Sequence, residues 1–409
     1  MKAEPAEGRY PRSFHAVWAS ALALLVTGLV LVYSVSSALA LTLPDGDPLF
    51  YARKQLETAA VGLVLLVLVF SFDYRRWRKA TPFVLAACAA LLLLVHLPGL
   101  GIEAKGATRW VGVGPISVQP SELVKLAVVL YAAHILARSS VKAHPDDLRA
   151  VVVVGLAACG LIVLQRDLGT GVVLAASVMG LLWVAGMSAK QWLLIVSFGA
   201  GAVMLAILAA PYRLRRLSSF LDPSVDPLGL GYQIRQGLLA LGRGGLFGVG
   251  GGKSVQKFTY LPEAHTDMIF AVLGEEYGLL GVGFVVGLFA VFAVAAFQLS
   301  RRCADPFGRY LIAGCAFLVY AQALINVGGV MAALPLTGVP LPFISFGRNN
   351  LLVVMVAVGV IMSVARWGPA VPVAGEQSLP KRTGETLNVT YLDRGRRYGG
   401  ARGARAGRR

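Results

Sequence analysis

What most constrains the fold is a succession of long apolar runs, near 16–41, 55–72, 81–97, 121–137, 150–165, 169–187, 191–210, 267–299, 309–330 and 350–366. About 20 apolar residues in a helix cross the ~30 Å core of a bilayer. Inside lipid every backbone polar group must be satisfied within its own segment, so runs of this length are helices. The chain therefore reads as an all-α polytopic membrane protein with ten transmembrane helices. The first run is too long for a signal-peptide core and shows no clear cleavage site, so it counts as an uncleaved span. The run 121–137 carries Glu122 and Lys125 at its start and spans only if both face protein or water. Composition agrees, with 56% hydrophobic and 14% charged residues, against about half and a quarter in soluble domains.

A net charge of +17 would suit nucleic acid, but its placement points elsewhere. Basic residues fall in alternate loops: Arg75, Arg76, Arg78 and Lys79, then Arg138, Lys142 and Arg149, then Lys190, then Arg301, Arg302 and Arg309. By the positive-inside rule both termini are cytoplasmic. Residues 1–15 form a cytoplasmic N-terminus, 16–366 the membrane domain and 367–409 a basic tail expected to be disordered, on anionic lipid or a cytoplasmic partner. The segment 211–266 becomes a large external loop between the seventh and eighth spans. Basic residues on that outer side are the anomaly, and most lie in 105–125, at 166 and in 213–257. Cations kept outside suit an anionic ligand at the outer surface; contact with lipid headgroups is the alternative.

Within Tyr260-Leu-Pro-Glu-Ala-His-Thr-Asp267, three ionisable residues, Glu263, His265 and Asp267, sit at the mouth of a span. Carboxylates at a bilayer boundary are functional candidates. The plainer reading makes Thr266 an N-cap and Asp267 a helix-dipole partner. Glu275 and Glu276 fall about 12 Å further along the helix, where they must be paired or line a cavity. Gly278, Gly281 and Gly283 permit close helix contact or a bend. The segment 211–266 is long for a loop and rich in glycine, with apolar residues such as Ile234, Leu238 and Leu239. It is expected to form helices flat on the bilayer and to act as a mobile cover.

Other motifs fail. Gly248-Val-Gly-Gly-Gly-Lys-Ser254 lacks the first glycine of a phosphate loop, since residue 247 is Phe247. Cys88, Cys159, Cys303 and Cys315 are scattered and read as packing residues. The sequon Asn388-Val-Thr390 falls on the cytoplasmic side. No zinc spacing is present.

Several stretches together resemble the SEDS family of bacterial membrane proteins (shape, elongation, division, sporulation). They are Gly106-Ala-Thr-Arg-Trp110, Gln119-Pro-Ser-Glu122 with Lys125, Asp167-Leu-Gly-Thr170 and Tyr212-Arg-Leu-Arg-Arg216. Asp226-Pro-Leu-Gly-Leu-Gly-Tyr-Gln233, Ser254-Val-Gln-Lys257 through Asp267, Gly274-Glu-Glu-Tyr-Gly278 and Leu341-Pro-Phe-Ile-Ser-Phe-Gly347 continue the match in order. The wording around 254–267 is closer to the family's division branch than to its elongation branch. Arg166 stands where a proline is usual, and Arg348-Asn-Asn350 where Gly-Ser-Ser is usual.

The resemblance implies a peptidoglycan glycosyltransferase of the bacterial plasma membrane that polymerises lipid II into glycan strands at the outer face. Asp267 matches the family's essential aspartate and is the expected general base. The substrate-binding candidates are Arg109, Glu122, Lys125, Arg213, Arg216, Lys257, Glu263, His265 and Ser345. A pyrophosphate leaving group needs charge stabilisation and no proton, so one carboxylate suffices and cations take the second role. A divalent cation, Mg²⁺ or Mn²⁺, stays open as a cofactor, with Asp222, Asp226, Glu263 and Asp267 as conceivable contributors. The implied partners are lipid II and the nascent strand, a class B penicillin-binding transpeptidase, other divisome proteins and membrane lipids, with no nucleic acid. A lipid II flippase is the rival function, and a role in elongation the rival setting.

Overall fold

A computed structural model describes residues 10–39, 46–95, 97, 101–104, 107–113, 116–139, 143–258 and 260–368. The expectations for Lys105, Lys142, the sequon at 388–390 and the tail beyond 368 lie outside them.

All ten apolar runs are helical. They form α1 (Arg12–Leu39), α2 (Phe50–Ser71), α3 (Arg75–Leu94), α4 (Pro120–Leu136), α5 (Pro145–Leu164), α6 (Leu168–Val184) and α7 (Ala189–Leu208). After two shorter helices, α8 (Pro211–Leu221) and α9 (Leu230–Gly244), come α10 (Ile269–Arg302), α11 (Pro306–Val330) and α12 (Arg348–Trp367). Eight of these are long and apolar enough to cross a membrane, and α6 is a shorter apolar helix. This is the architecture of a polytopic membrane protein.

Local chemistry sets the helix starts. Proline stands in the first turn of α4, α5, α8 and α11, where its missing N–H costs nothing. Asp167 caps α6 by accepting from Thr170 N, and Asp305 caps α11 by accepting from Gly308 N. Ser188 and Gln191 form a reciprocal capping box on α7.

The core is built around α11, which packs against α10, α6, α4 and α12. A bilayer offers little hydrophobic drive between helices, so close packing through small residues does the work. Gly62 of α2 faces Met355 of α12, while Gly359 of α12 faces Leu66 and Val69 of α2. In contrast, α7 has no buried residue at all.

One expectation needs correcting. The chain is not all-α, because residues 101–118 carry a three-stranded antiparallel sheet. Its strands are β1 (Gly101–Ala104), β2 (Ala107–Val113) and β3 (Ile116–Val118), in order β1-β2-β3. The bend that the glycines of α10 allow is present. Gly278 has φ 63° and ψ −161° inside it, a conformation that glycine adopts without steric cost. The break frees backbone groups, and the stretch 245–250 satisfies them. Val249 and Gly250 donate to the carbonyls of Glu275 and Glu276 at 3.0 Å each. Leu279 and Leu280 donate in turn to Gly245 and Leu246, at 2.9 and 3.2 Å. Beyond the break, Leu279–Arg302 is about 36 Å long at 1.5 Å per residue, enough to cross a bilayer by itself.

Candidate active site

Asp267 precedes α10 in a turn closed by the Glu263 carbonyl, which accepts from Thr266 N at 3.1 Å and Met268 N at 3.2 Å. The N-cap of α10 is Met268, without a side-chain hydrogen bond. Thr266 is therefore not the cap. Its hydroxyl instead lies 2.8 Å from Glu263 Oε2 and 3.2 Å from Asp267 Oδ1. Asn326 of α11 donates to both the Asp267 and Val339 carbonyls at 2.8 Å. Those two bonds lash the turn to the segment 335–339. Gly338, at φ 72°, leaves the space beside Asp267 Oδ2 without a side chain.

The same segment lines an open pocket, with Pro335, Leu336 and Thr337 on its wall. Arg109, Arg166, Arg213, Arg216, Asp167 and Tyr212 also line it. Its chemistry begins at the end of α5, whose last carbonyls have no partner within the helix. Arg213 donates to Val163 O at 2.9 Å and to Ala206 O at 3.0 Å. Arg109, carried by β2, donates to the carbonyls of Gln165 and Arg166, and Tyr212 donates its hydroxyl to Arg166 O at 3.1 Å. Arg216 reaches the Leu336 and Thr337 carbonyls at 3.4 Å each. Among the described residues, Arg109, Arg213 and Arg216 make no ion pair with a carboxylate. Cations held by neutral carbonyls keep their charge available to an anion. Arg166 itself has φ 59°, an unusual backbone state for a residue other than glycine.

Two expected cations do not face this pocket. Lys125 is fully buried, 2.9 Å from Glu122 and donating to Gln322 at 2.8 Å. Asn350 completes that cluster by donating to Glu122 Oε2 at 3.0 Å. Lys257 is 1% exposed and donates to Ser34 Oγ, Gly252 O and Glu276 Oε1, which occupies all three ammonium hydrogens. Both are buried in this structure, and each compensates a buried carboxylate. Glu275 is likewise paired, accepting from Ser254 Oγ, Val255 N and Gln256 N.

The remaining candidates lie close by. His265 packs its ring 4.7 Å from Tyr51 and 5.7 Å from Phe346, and its carbonyl accepts from Phe346 N. Ser345 is buried; its Oγ accepts from Leu341 N at 2.7 Å and its carbonyl from Gln55. It therefore shapes the loop that carries Phe346. Arg348 and Asn349 bond to Ser117 in β3.

Glu263 and Asp267 are the carboxylates at the mouth, and no group of three ligand-type side chains gathers around a metal position among the described residues. Asp222 accepts from Ser224 N and Oγ, and those bonds hold its carboxyl below the usual range. Asp226 accepts from Leu230 N at the start of α9. Both serve turns.

The model of the cell cycle protein family FtsW/RodA/SpoVE matches residues 14–368. The chain belongs to the FtsW/RodA/SpoVE family. Among curated relatives, it is 38% identical over 348 residues to stage V sporulation protein E of Bacillus subtilis, covering 85% of this chain and 95% of that protein. It is 41% identical over 350 residues to a probable peptidoglycan glycosyltransferase FtsW of Nitrosococcus halophilus, covering 84% and 90%. Among solved structures, a chain of a peptidoglycan synthase complex described as coordinating polymerization and crosslinking superposes with TM-score 0.71 at 27% identity, covering 87% and 98%. For the FtsW/RodA/SpoVE chain described here, Asp167, Tyr212, Thr266 and Gly338 join the site without having been singled out as candidates. Three of them lie inside motifs quoted above, so their signal was present but unassigned.

Proposed function

We propose that this chain, a peptidoglycan glycosyltransferase of the FtsW/RodA/SpoVE family, polymerises lipid II at the outer face of the plasma membrane. On this reading all ten apolar helices span, both termini are cytoplasmic and 211–266 is external. Asp267 takes the proton of the acceptor sugar's 4-hydroxyl as that oxygen bonds to the donor's anomeric carbon. The bond from that carbon to phosphate breaks, and undecaprenyl pyrophosphate leaves with its negative charge. Glycosyl transfer builds positive charge on the sugar ring and negative charge on the leaving group. Arg109, Arg213 and Arg216, with Arg166 beside them, meet the latter.

The observation that carries this is the shared wall. Arg216 bonds to the carbonyls of Leu336 and Thr337, and the Asp267 carboxylate lies beside Gly338, the next residue of the same segment. A base and an anion pocket so placed fit two ends of one displacement. A class B penicillin-binding transpeptidase is the proposed partner, in line with the complex that the solved relative belongs to. Septal division is the proposed setting, supported by relatives named FtsW. Purified chain incubated with lipid II, alone and with the transpeptidase, tests the reading by gel analysis of glycan product. Transport of lipid II across vesicles without any glycan product favours the flippase instead.

A further inference from the structure

We infer that Thr266 is a positioning residue that couples Glu263 to Asp267, so that the base works as one half of a carboxylate pair. This rests on Asp267 being the base. The Thr266 hydroxyl has one hydrogen and two carboxylates in reach. It lies 2.8 Å from Glu263 Oε2 and 3.2 Å from Asp267 Oδ1, so those oxygens are at most about 6 Å apart. Thr266 N and Met268 N both bond to the Glu263 carbonyl, which holds the turn that brings the two side chains together. Glu263 has φ 55° to achieve this, and a non-glycine residue kept in such a state points to function when the surroundings enforce it.

The pairing answers a chemical difficulty. A cation near a base keeps it ionised but lowers its proton affinity. A second negative charge within 6 Å acts in the opposite sense and restores it. The hydroxyl stands between the two carboxylates, with Glu263 Oε2 the nearer acceptor of its one hydrogen, and Gly338 brings no side chain against Asp267 Oδ2. From other elements, the charged and titratable groups toward this turn are Arg216 of α8, through Leu336 and Thr337, and Tyr51 of α2, against His265. The buried Lys125–Glu122 pair of α4 approaches through Gln322 and Pro340.

The test compares Glu263→Gln, Thr266→Val, Thr266→Ser and Asp267→Asn in the full chain, measuring kcat and KM for lipid II polymerisation across pH. Glu263→Gln keeps an acceptor for Thr266 but removes the charge. It is expected to move the acid limb of kcat to lower pH, by about 0.5–2 units for a charge at this distance. Thr266→Val is expected to lower kcat about tenfold with KM within about twofold, and Thr266→Ser to recover most of it. An acid limb unmoved in Glu263→Gln, or a serine variant as slow as the valine one, overturns the coupling. If valine prevents folding, the serine and glutamine variants still decide. Asp267→Asn separates the two claims. Turnover by that variant removes the base reading itself, whereas an inactive variant beside an unmoved acid limb sinks only the coupling.

Discussion

Asn326 of α11 donates to the backbone carbonyl of Asp267 at 2.8 Å. The carboxylate is thus placed by a neighbouring helix as well as by its own turn. The same amide nitrogen also bonds the Val339 carbonyl, so Asn326→Leu leaves two carbonyls in a buried setting without that donor. A loss of about 1–3 kcal/mol is expected for such a change, read as a lower melting temperature in detergent, together with slower polymerisation.

Asp267→Asn is nearly isosteric and leaves the Asn326 bond untouched, because that bond uses the backbone. The expected outcome is a chain that folds, inserts and binds its partner but makes no glycan. Wild-type turnover in this variant would remove Asp267 from its role.

Neutralising Arg109, Arg213 or Arg216 should slow turnover or weaken lipid II binding, by the equivalent of about 2–5 kcal/mol for a hydrogen-bonded charge truncated at a binding site. Arg215, exposed on α8, is the comparator. Arg243 is a poorer one, since it stands 3.9 Å from buried Glu275. Equal, small losses at all four would make the cations headgroup contacts.

Lys257 and Glu276 are 2.9 Å apart and both buried. Removing one partner leaves an uncompensated buried charge, which costs about 3–5 kcal/mol. Lys257→Met and Glu276→Gln should each lower thermal stability, and the double substitution should lower it by less than their sum. Additive losses in that cycle would mean the two charges are not coupled.

Hydrogen exchange should divide the segment 211–266. Backbone donors at Val249 and Gly250 are bonded to α10, so they should be protected before substrate arrives. The stretch 222–229 is mostly exposed, with Leu228 at 93%, and should exchange fast and slow down with lipid II. Fast exchange at both stretches would restore the expectation of a cover mobile throughout.

The long helices were legible because their signal is local: twenty apolar residues in a row admit few other solutions in lipid. The mouth at Glu263–Asp267 and a bend near Gly278 were legible for the same reason, as charge and glycine in an apolar context. The sheet was not, since strands of 3–7 residues carry too little pattern to stand out. Charges were placed by segment, yet Lys125 and Lys257 turn inward to buried glutamates while Arg109 and Arg213 reach the end of a helix distant in sequence. Those are long-range pairings, and a residue type at a given position does not report its partner. Arg166 lines the pocket, while Arg348 and Asn349 bond to Ser117 and Asn350 to Glu122.

The ladder between 245–250 and the break at Gly278 has a consequence for how this chain tolerates change. Surface loops usually accept added or deleted residues. Here four backbone bonds match the two strands of chain residue for residue, so one inserted residue would shift every pairing and strand polar groups against α10. The loop is fixed in length as strictly as a helix interior. Epitopes, tags or natural insertions in the segment 211–266 therefore belong between Asp222 and Leu228, where the ends of α8 and α9 leave slack.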